Sequence, residues 1–324
     1  MIGKPRIAVV GAGAFGKNHL RILAADQQVE LVAAVDMDAA VAQQAAAQFN
    51  CQAMTDYRQL AAICDAAVIA TPTSSHEEIA TFLMDAGIDV LIEKPIAPAV
   101  EAAERLSAKA AATGRILQVG HLERFNPAVR ALEKLVTLPL FFEVHRLSLF
   151  SPRSLDVDVV LDLMIHDLEI ILALTGSEPE EVRASGISIL SKKVDIANVR
   201  LAFPGGIIAN LTASRVSVER VRKLRLFQPN QYISIDYAKQ ELLAVGVTPE
   251  RQVQFLPVQV VKDEPLRLEV AHFLECVRTR QAPLVGAREA TRALRVAESI
   301  LTKIEEHTRV VEQTIATSSL ARPS

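Results

Sequence analysis

The first 120 residues alternate short apolar runs with helix-forming stretches, and this alternation limits the possible folds more than any compositional figure. Arg6–Val10, Glu30–Val35 and residues 66–70, 90–92 and 115–119 are β-rich, while 15–25, 38–48, 75–85 and 99–112 carry helical patterning. Strands separated by single helices cannot pair as hairpins. They pair in parallel through right-handed crossovers, with helices over both faces of the sheet. Ser74-Ser75-His76-Glu77 has the S-x-x-E form of a capping box and is expected to open the third helix.

After Asn126 the patterning changes. Residues 127–135 read as a helix, 140–149 as a long strand, and 159–174 as an apolar helix ending at Thr175-Gly176, a natural C-cap glycine. Residues 181–261 are mostly strands joined by turns, with Phe203-Pro204-Gly205-Gly206-Ile207 the clearest hairpin signal. Helices are expected at 266–279 and 288–307, the second carrying Ala290, Leu294, Ala297, Leu301 and Ile304 as a core-facing stripe. Residues 310–324 lack periodicity and read as a loose tail.

Gly11-Ala12-Gly13-Ala14-Phe15-Gly16 lies between the first strand and the first helix. In such a G-x-G-x-x-G, the first glycine permits a tight turn and the second lets a pyrophosphate approach the backbone. The third allows close packing of helix on strand. The helix start then offers free N–H groups and a positive dipole end to phosphate. Asp36 follows 20 residues after Gly16, at the end of the second strand, where a carboxylate binds ribose hydroxyls. It repels a 2′-phosphate, and Met37-Asp38 brings no arginine to receive one, so the expected cofactor is NAD. Thr71 and Pro72, at the carboxyl end of the next strand, are candidate cofactor contacts on the same positional grounds.

The architecture expected is therefore an α/β Rossmann domain, a doubly wound parallel sheet, over residues 1–122. An α+β domain with an open, mostly antiparallel sheet follows over 123–308, then a tail over 309–324. The 35 basic and 38 acidic side chains leave a net charge of −3, which argues against a nucleic-acid or anionic-membrane binder. Three cysteines without a CxxC, and no H-x-x-x-H, argue against a metal site. Without a signal-peptide h-region or a long apolar run, a cytoplasmic protein is expected.

Two further groupings carry chemistry. Glu93-Lys94-Pro95 follows an apolar strand directly, and a partly desolvated lysine at a sheet edge suits acid–base work. Proline after Lys94 sets the chain direction and can adopt the cis form. Asp162 and His166 stand four apart on an apolar helix and so share a face. Polar groups there need partners or a cavity, and a satisfied core histidine is the competing reading.

Taken in order, G-A-G-x-x-G, A-T-P-T-x-x-H, E-K-P and D-x-x-x-H resemble the Gfo/Idh/MocA family of NAD(P)-dependent sugar dehydrogenases, from about Arg6 to His307. The resemblance implies a Rossmann domain, an open-sheet domain and an active site between them. Lys94 and His166 would act on the sugar hydroxyl with Asp162 beside them. Gly11, Gly13, Ala14, Phe15, Gly16, Asp36, Thr71, Pro72, His76, Glu93 and Lys94 would hold the cofactor. The segments 119–127, 151–154 and 156–162 resemble the branch that oxidises the C3 hydroxyl of UDP-N-acetylglucosamine, so that an aminotransferase can install nitrogen for a lipid A precursor. One departure is Asp156–Val160, where many members carry a glycine-rich stretch.

Arg124 and Arg153 are candidate forks for a substrate diphosphate. Asn126 could bind the sugar or cap the following helix, and Lys94 and His166 complete the expected substrate contacts. An inositol or other sugar dehydrogenase, and a non-catalytic NAD sensor, are the alternatives. A homodimer or homotetramer through the second-domain sheet is expected, because a one-sided sheet exposes its other face.

Overall fold

The computed structural model describes residues 4–150 and 157–317. The chain forms two compact units, the first comprising the chain up to Phe125 together with Asp263–Thr291. Its strands are β1 (Arg6–Val10), β2 (Glu30–Val35), β3 (Gln52–Met54), β4 (Ala66–Ile69), β5 (Asp89–Glu93) and β6 (Leu117–Gly120). They form one sheet in the order β3-β2-β1-β4-β5-β6, every pair parallel. The helices α1 (Gly16–Ala25), α2 (Ala39–Phe49), α3 (His76–Asp85) and α4 (Val100–Thr113) provide the crossovers. Ile7, Ala8 and Val9 are fully buried, as a parallel strand covered on both faces must be. β1 is the point where the strand order reverses, and ligands bind beyond the carboxyl ends of strands at such a point.

The second unit comprises Asn126–Lys262 and the chain from Arg292 onward. It contains α5 (Pro127–Glu133), β7 (Phe141–Leu149), α6 (Ile165–Thr175), β8 (Glu181–Ile187), β9 (Ile196–Ala202) and β10 (Ile208–Ser217). β11 (Val221–Gln228), β12 (Gln231–Asp236), β13 (Glu241–Val247) and β14 (Val253–Leu256) complete its sheet, in the order β14-β13-β12-β11-β7-β10-β9-β8. Only β7 and β10 pair in parallel. Ile165, Leu168 and Ile171 of α6 join Phe142, Val144, Leu211 and Leu224 in one apolar core. Within it Arg146 forks onto Asp167, with Nε–Oδ2 at 2.6 Å and Nη2–Oδ1 at 2.9 Å, and its guanidinium lies over the Tyr237 ring.

Two helices close the chain, α7 (Pro265–Thr279) and α8 (Ala287–Thr317). Four expectations change here. α7 was expected with the second domain, but its Val270, Phe273 and Leu274 share the core of the first unit with Ile7, Leu20 and Leu91. Nor is residue 310 the start of a loose tail: with no glycine or proline to break it, α8 runs on to Thr317. The capping box does not form: its serine, Ser74, lies inside a 3-10 turn over Thr73–Ser75, so that Ser75 stands at the α3 N-cap without a side-chain capping bond, and Glu77 pairs with Arg105. The continuous apolar helix expected over 159–174 begins as a π-helical turn, Val160–Met164, ahead of α6. The C-cap at Gly176 does form, in the left-handed conformation.

Removing one partner of a buried, bidentate pair strands the other charge. Arg146→Ala is expected to destabilise the second unit by about 3–5 kcal/mol, read from urea unfolding. Arg146→Met combined with Asp167→Leu should recover most of that loss.

Candidate active site

The first βα turn is built on two close approaches. Gly11 has φ +92°, and a Cβ there would lie 2.5 Å from the Ala70 carbonyl oxygen; a Cβ on Gly16 would lie 1.8 Å from the Gly11 carbonyl oxygen. Nothing stands within 4 Å of the place a Gly13 Cβ would occupy. Two glycines are thus required by the fold, and the third keeps a patch of backbone open. Asp36 closes the turn, accepting hydrogen bonds from the N–H groups of Ala12 (2.9 Å) and Asp38 (3.0 Å).

Beside this turn lies a cavity of about 420 Å³, lined among others by Gly11, Gly13, Asp36, Thr71 and Pro72 from the expected cofactor set. Thr55, Asp56, Tyr57 and Arg58 also line it, and no sequence motif marks them. The Arg58 guanidinium lies over the Tyr57 ring (4.7 Å) and bonds Glu78 Oε1 (3.0 Å). Burial and Glu78 together push the Tyr57 hydroxyl up to about 12. Arg58 is thus already matched by carboxylates, which suits a ribose with free hydroxyls better than one bearing a 2′-phosphate. The open Gly13 backbone, the cavity and the acidic residue beside it fit a dinucleotide.

Other expected cofactor residues stand apart from that cavity wall. Phe15 precedes α1 and meets the His19 ring edge-on at 5.6 Å, and Ala14 shares its exposed stretch of turn. His76 is buried, its two ring nitrogens 2.9 Å from the Thr71 carbonyl oxygen and 3.0 Å from that of Pro95. Burial holds its pKa below the ordinary imidazole value. It therefore ties the Thr71 loop to the turn after Lys94, whose bond to Pro95 is cis. Glu93 is buried and bonded to His19 Nε2 at 2.7 Å. His121, absent from the expected set, is fully buried; desolvation first, then the charges of Lys94 and Arg124, push its pKa down to about 3. Arg124, expected on the substrate, belongs to this group in the first unit and is itself buried.

In the second unit Asp162 lies within the π-helical turn and His166 in the first turn of α6. The Ile165 N–H reaches back five residues to the Val160 carbonyl. Such single π-turns recur at functional sites because they re-aim side chains. Asn126 acts as the cap: its Oδ1 accepts from the Ala128 N–H (3.1 Å) and its Nδ2 donates to the Tyr237 carbonyl (3.0 Å). Its amide is thereby held by backbone, and sugar binding is not its visible role. Arg153 lies outside the described residues. Among the described residues no cluster of three metal-ligating side chains occurs, and no helix is long and apolar enough to cross a membrane.

Residues 5–121 match the oxidoreductase family GFO/IDH/MocA, NAD-binding Rossmann fold, and residues 146–230 match the GFO/IDH/MocA C-terminal domain. The chain is 35% identical to a UDP-N-acetylglucosamine 3-dehydrogenase of Acidithiobacillus ferrooxidans, over 93% of this chain and 97% of that one. It is 27% identical to the scyllo-inositol 2-dehydrogenase (NAD(+)) of Bacillus subtilis, over 90% and 91%. The solved structure of the Acidithiobacillus enzyme superposes with a TM-score of 0.88 at 34% identity, covering 95% of this chain and 99% of that one. The scyllo-inositol dehydrogenase of Lactobacillus casei, solved with bound NAD(H) and scyllo-inositol, shares the fold at a TM-score of 0.79 and 19% identity, over 94% and 97%.

The glycines separate binding from folding. Gly13→Ala should leave the melting temperature within a few degrees while weakening NAD at least tenfold by calorimetry, since the new methyl enters open space. Gly16→Ala must displace the Gly11 carbonyl, so its first symptom should be lost thermal stability. Acid titration gives a separate check. His121 binds a proton when unfolded but not when folded between about pH 6.5 and pH 3, so stability falls as pH drops through that window. His121→Asn should flatten that part of the profile.

Proposed function

Because this chain belongs to the GFO/IDH/MocA oxidoreductase family, we propose that it oxidises the C3 hydroxyl of UDP-N-acetylglucosamine to the 3-keto sugar, with NAD. The observation that carries the substrate is the 35% identity to the Acidithiobacillus UDP-N-acetylglucosamine 3-dehydrogenase over nearly the whole of both chains. Bound NAD supplies the hydride acceptor, held by the Gly11–Gly16 turn and by Asp36. The proton side of the reaction belongs to Lys94 and His166. One accepts the hydroxyl proton; the other, with Asp162, orients the oxygen and stabilises its developing charge. Arg124 and Arg153 are the cations proposed for the diphosphate.

The 3-keto product is suited to an aminotransferase, and a cytoplasmic step toward a lipid A precursor is the setting in which the enzyme is proposed to act. A second copy of the chain is proposed to cover the free face of the second unit's sheet, where Leu243, Val247 and Phe255 are exposed. Light scattering should then give a dimer or tetramer mass.

NADH absorbance is the direct assay. Oxidation of an alcohol by NAD runs uphill near neutral pH, so the mixture needs an aminotransferase with an amine donor to remove the ketone. Lys94→Ala and His166→Ala should each lower kcat by about 10²–10⁴, and His166→Ala should leave NADH affinity within about twofold. Turnover of inositols with none of UDP-N-acetylglucosamine would replace this substrate with a polyol. Near-wild-type rates in both variants would remove the mechanism.

A further inference from the structure

Two carboxyl groups share the interior of the first unit. Glu93, the last residue of β5, bonds His19 Nε2 at 2.7 Å, and the ring lies in a helix that begins at the phosphate turn. Its carboxyl group also rests on the α-carbon of Gly120, where a Cβ would fall 2.9 Å from both Cδ and Oε2. Glu269 projects from α7 and is fully buried, and neither carboxyl oxygen finds a hydrogen-bond partner among the described residues. Its backbone carbonyl accepts a hydrogen bond from Gln118 Nε2 at 3.1 Å. Two carboxyls that sense one another in a low-dielectric interior cannot both ionise. The hydrogen-bond pattern decides between them. Glu93 has an imidazole beside it to satisfy an anion, and Glu269 has nothing, so Glu269 keeps its proton. Desolvation, reinforced by the charge of Glu93, raises the pKa of Glu269 well above the ordinary carboxyl value.

We propose that Glu93 is a fixed buried anion of the cofactor site, positioned by His19, Gly120 and a neutral Glu269, and that it makes the site prefer the oxidised, cationic nicotinamide to the reduced, neutral one. This rests on the NAD reading above. Asp36 lies beyond β2, on one side of the strand-order reversal, and β5 lies on the other. A dinucleotide whose adenosine ribose meets Asp36 therefore carries its nicotinamide half toward the carboxyl end of β5, where Glu93 and Lys94 sit. A charge held there acts on a cationic ring and leaves a neutral one nearly untouched, so the effect is read in the ratio of two affinities.

The test uses the full-length protein, with NAD+ and NADH titrated separately at one pH. Glu93→Gln, close in shape, should weaken NAD+ about tenfold and leave NADH within about twofold. Gly120→Ala keeps the charge but displaces it, so the ratio should move in the same direction. Glu269→Gln should leave the ratio where it was. Infrared spectroscopy gives a signature that packing alone would not move: a protonated-carboxyl C=O band present in the wild type and in Glu93→Gln, and lost in Glu269→Gln. Equal weakening of both nucleotides by Glu93→Gln would overturn the proposal. So would a Glu269→Gln protein that reproduces the Glu93→Gln ratio while keeping the band. A wild type that binds neither nucleotide would overturn the NAD reading as well, and that outcome is distinct from the other two.

Discussion

Everything in the first unit is arranged around one close approach, the seating of the start of α1 on the Gly11 carbonyl. No residue with a side chain can stand at position 16, and none but glycine tolerates the backbone conformation at position 11 against Ala70. The consequence is electrostatic as well as steric. α1 has no side-chain cap and no acidic residue in its first turn, whereas α2, one crossover later, is capped by Asp38 through the N–H groups of Ala40 and Val41. Capping is worth about 1 kcal/mol, so a helix that forgoes it keeps its N–H groups available. The positive end of α1 then stands beside the open Gly13 backbone, and Asp36 fixes the far side of the same turn. The helix end proposed for phosphate and the carboxylate proposed for ribose are thus set by the same few residues that allow the strand and helix to pack.

Features carried by local pattern were legible in the sequence; features decided by distant packing were not. β1 and β2 stand at the expected boundaries because their apolar runs are bounded by charged or glycine-bearing turns. β3 went unseen: Gln52-Ala53-Met54 is a short edge strand with little burial, and it presents no apolar run. The late helix α7 has the periodicity of any amphipathic helix, and nothing in that periodicity says which core will accept it. Its place is decided by Phe273 and Val270 meeting α1 and β1, some 250 residues earlier in the chain. The capping box failed for a related reason: a 3-10 turn precedes α3 and moves its start one residue on, so Ser75 rather than Ser74 stands at the N-cap, and the Ser75 hydroxyl bonds back to the Thr71–Pro72 turn.

In the candidate site, the glycines and Asp36 were readable because their spacing reflects the geometry of one turn. The wall formed by Thr55, Asp56, Tyr57 and Arg58 was not, since it follows the end of a strand that was itself unseen. Asn126 shows how one residue type supports two readings. Asparagine before proline at a helix start is a cap signal, and the capping bond is the one the fold makes. The clustering of His19, Glu93, Gln118 and Glu269 had no sequence signature at all, because it assembles one residue from each of four elements.

Four of the seven histidines are buried, and their surroundings sort them by what each can do with a proton. His76 is spent on two backbone carbonyls, so its proton serves to join loops. His121 sits beside Lys94 and Arg124, and with a pKa near 3 it takes up no proton at neutral pH, which rules it out as a general base there. His19 is committed to Glu93. His166 is carried just past a π-turn, with Asp162 one turn earlier. The same sorting applies to the cations. Arg146 is locked on Asp167 and Arg215 donates to the Val157 carbonyl, so both serve the second unit's interior. Lys94 comes directly after the buried carboxyl of Glu93, at the carboxyl end of β5. The proposed proton transfer by Lys94 and His166 therefore rests on motif and on where each residue stands in its own unit, one at the carboxyl end of β5 and the other just past a π-turn.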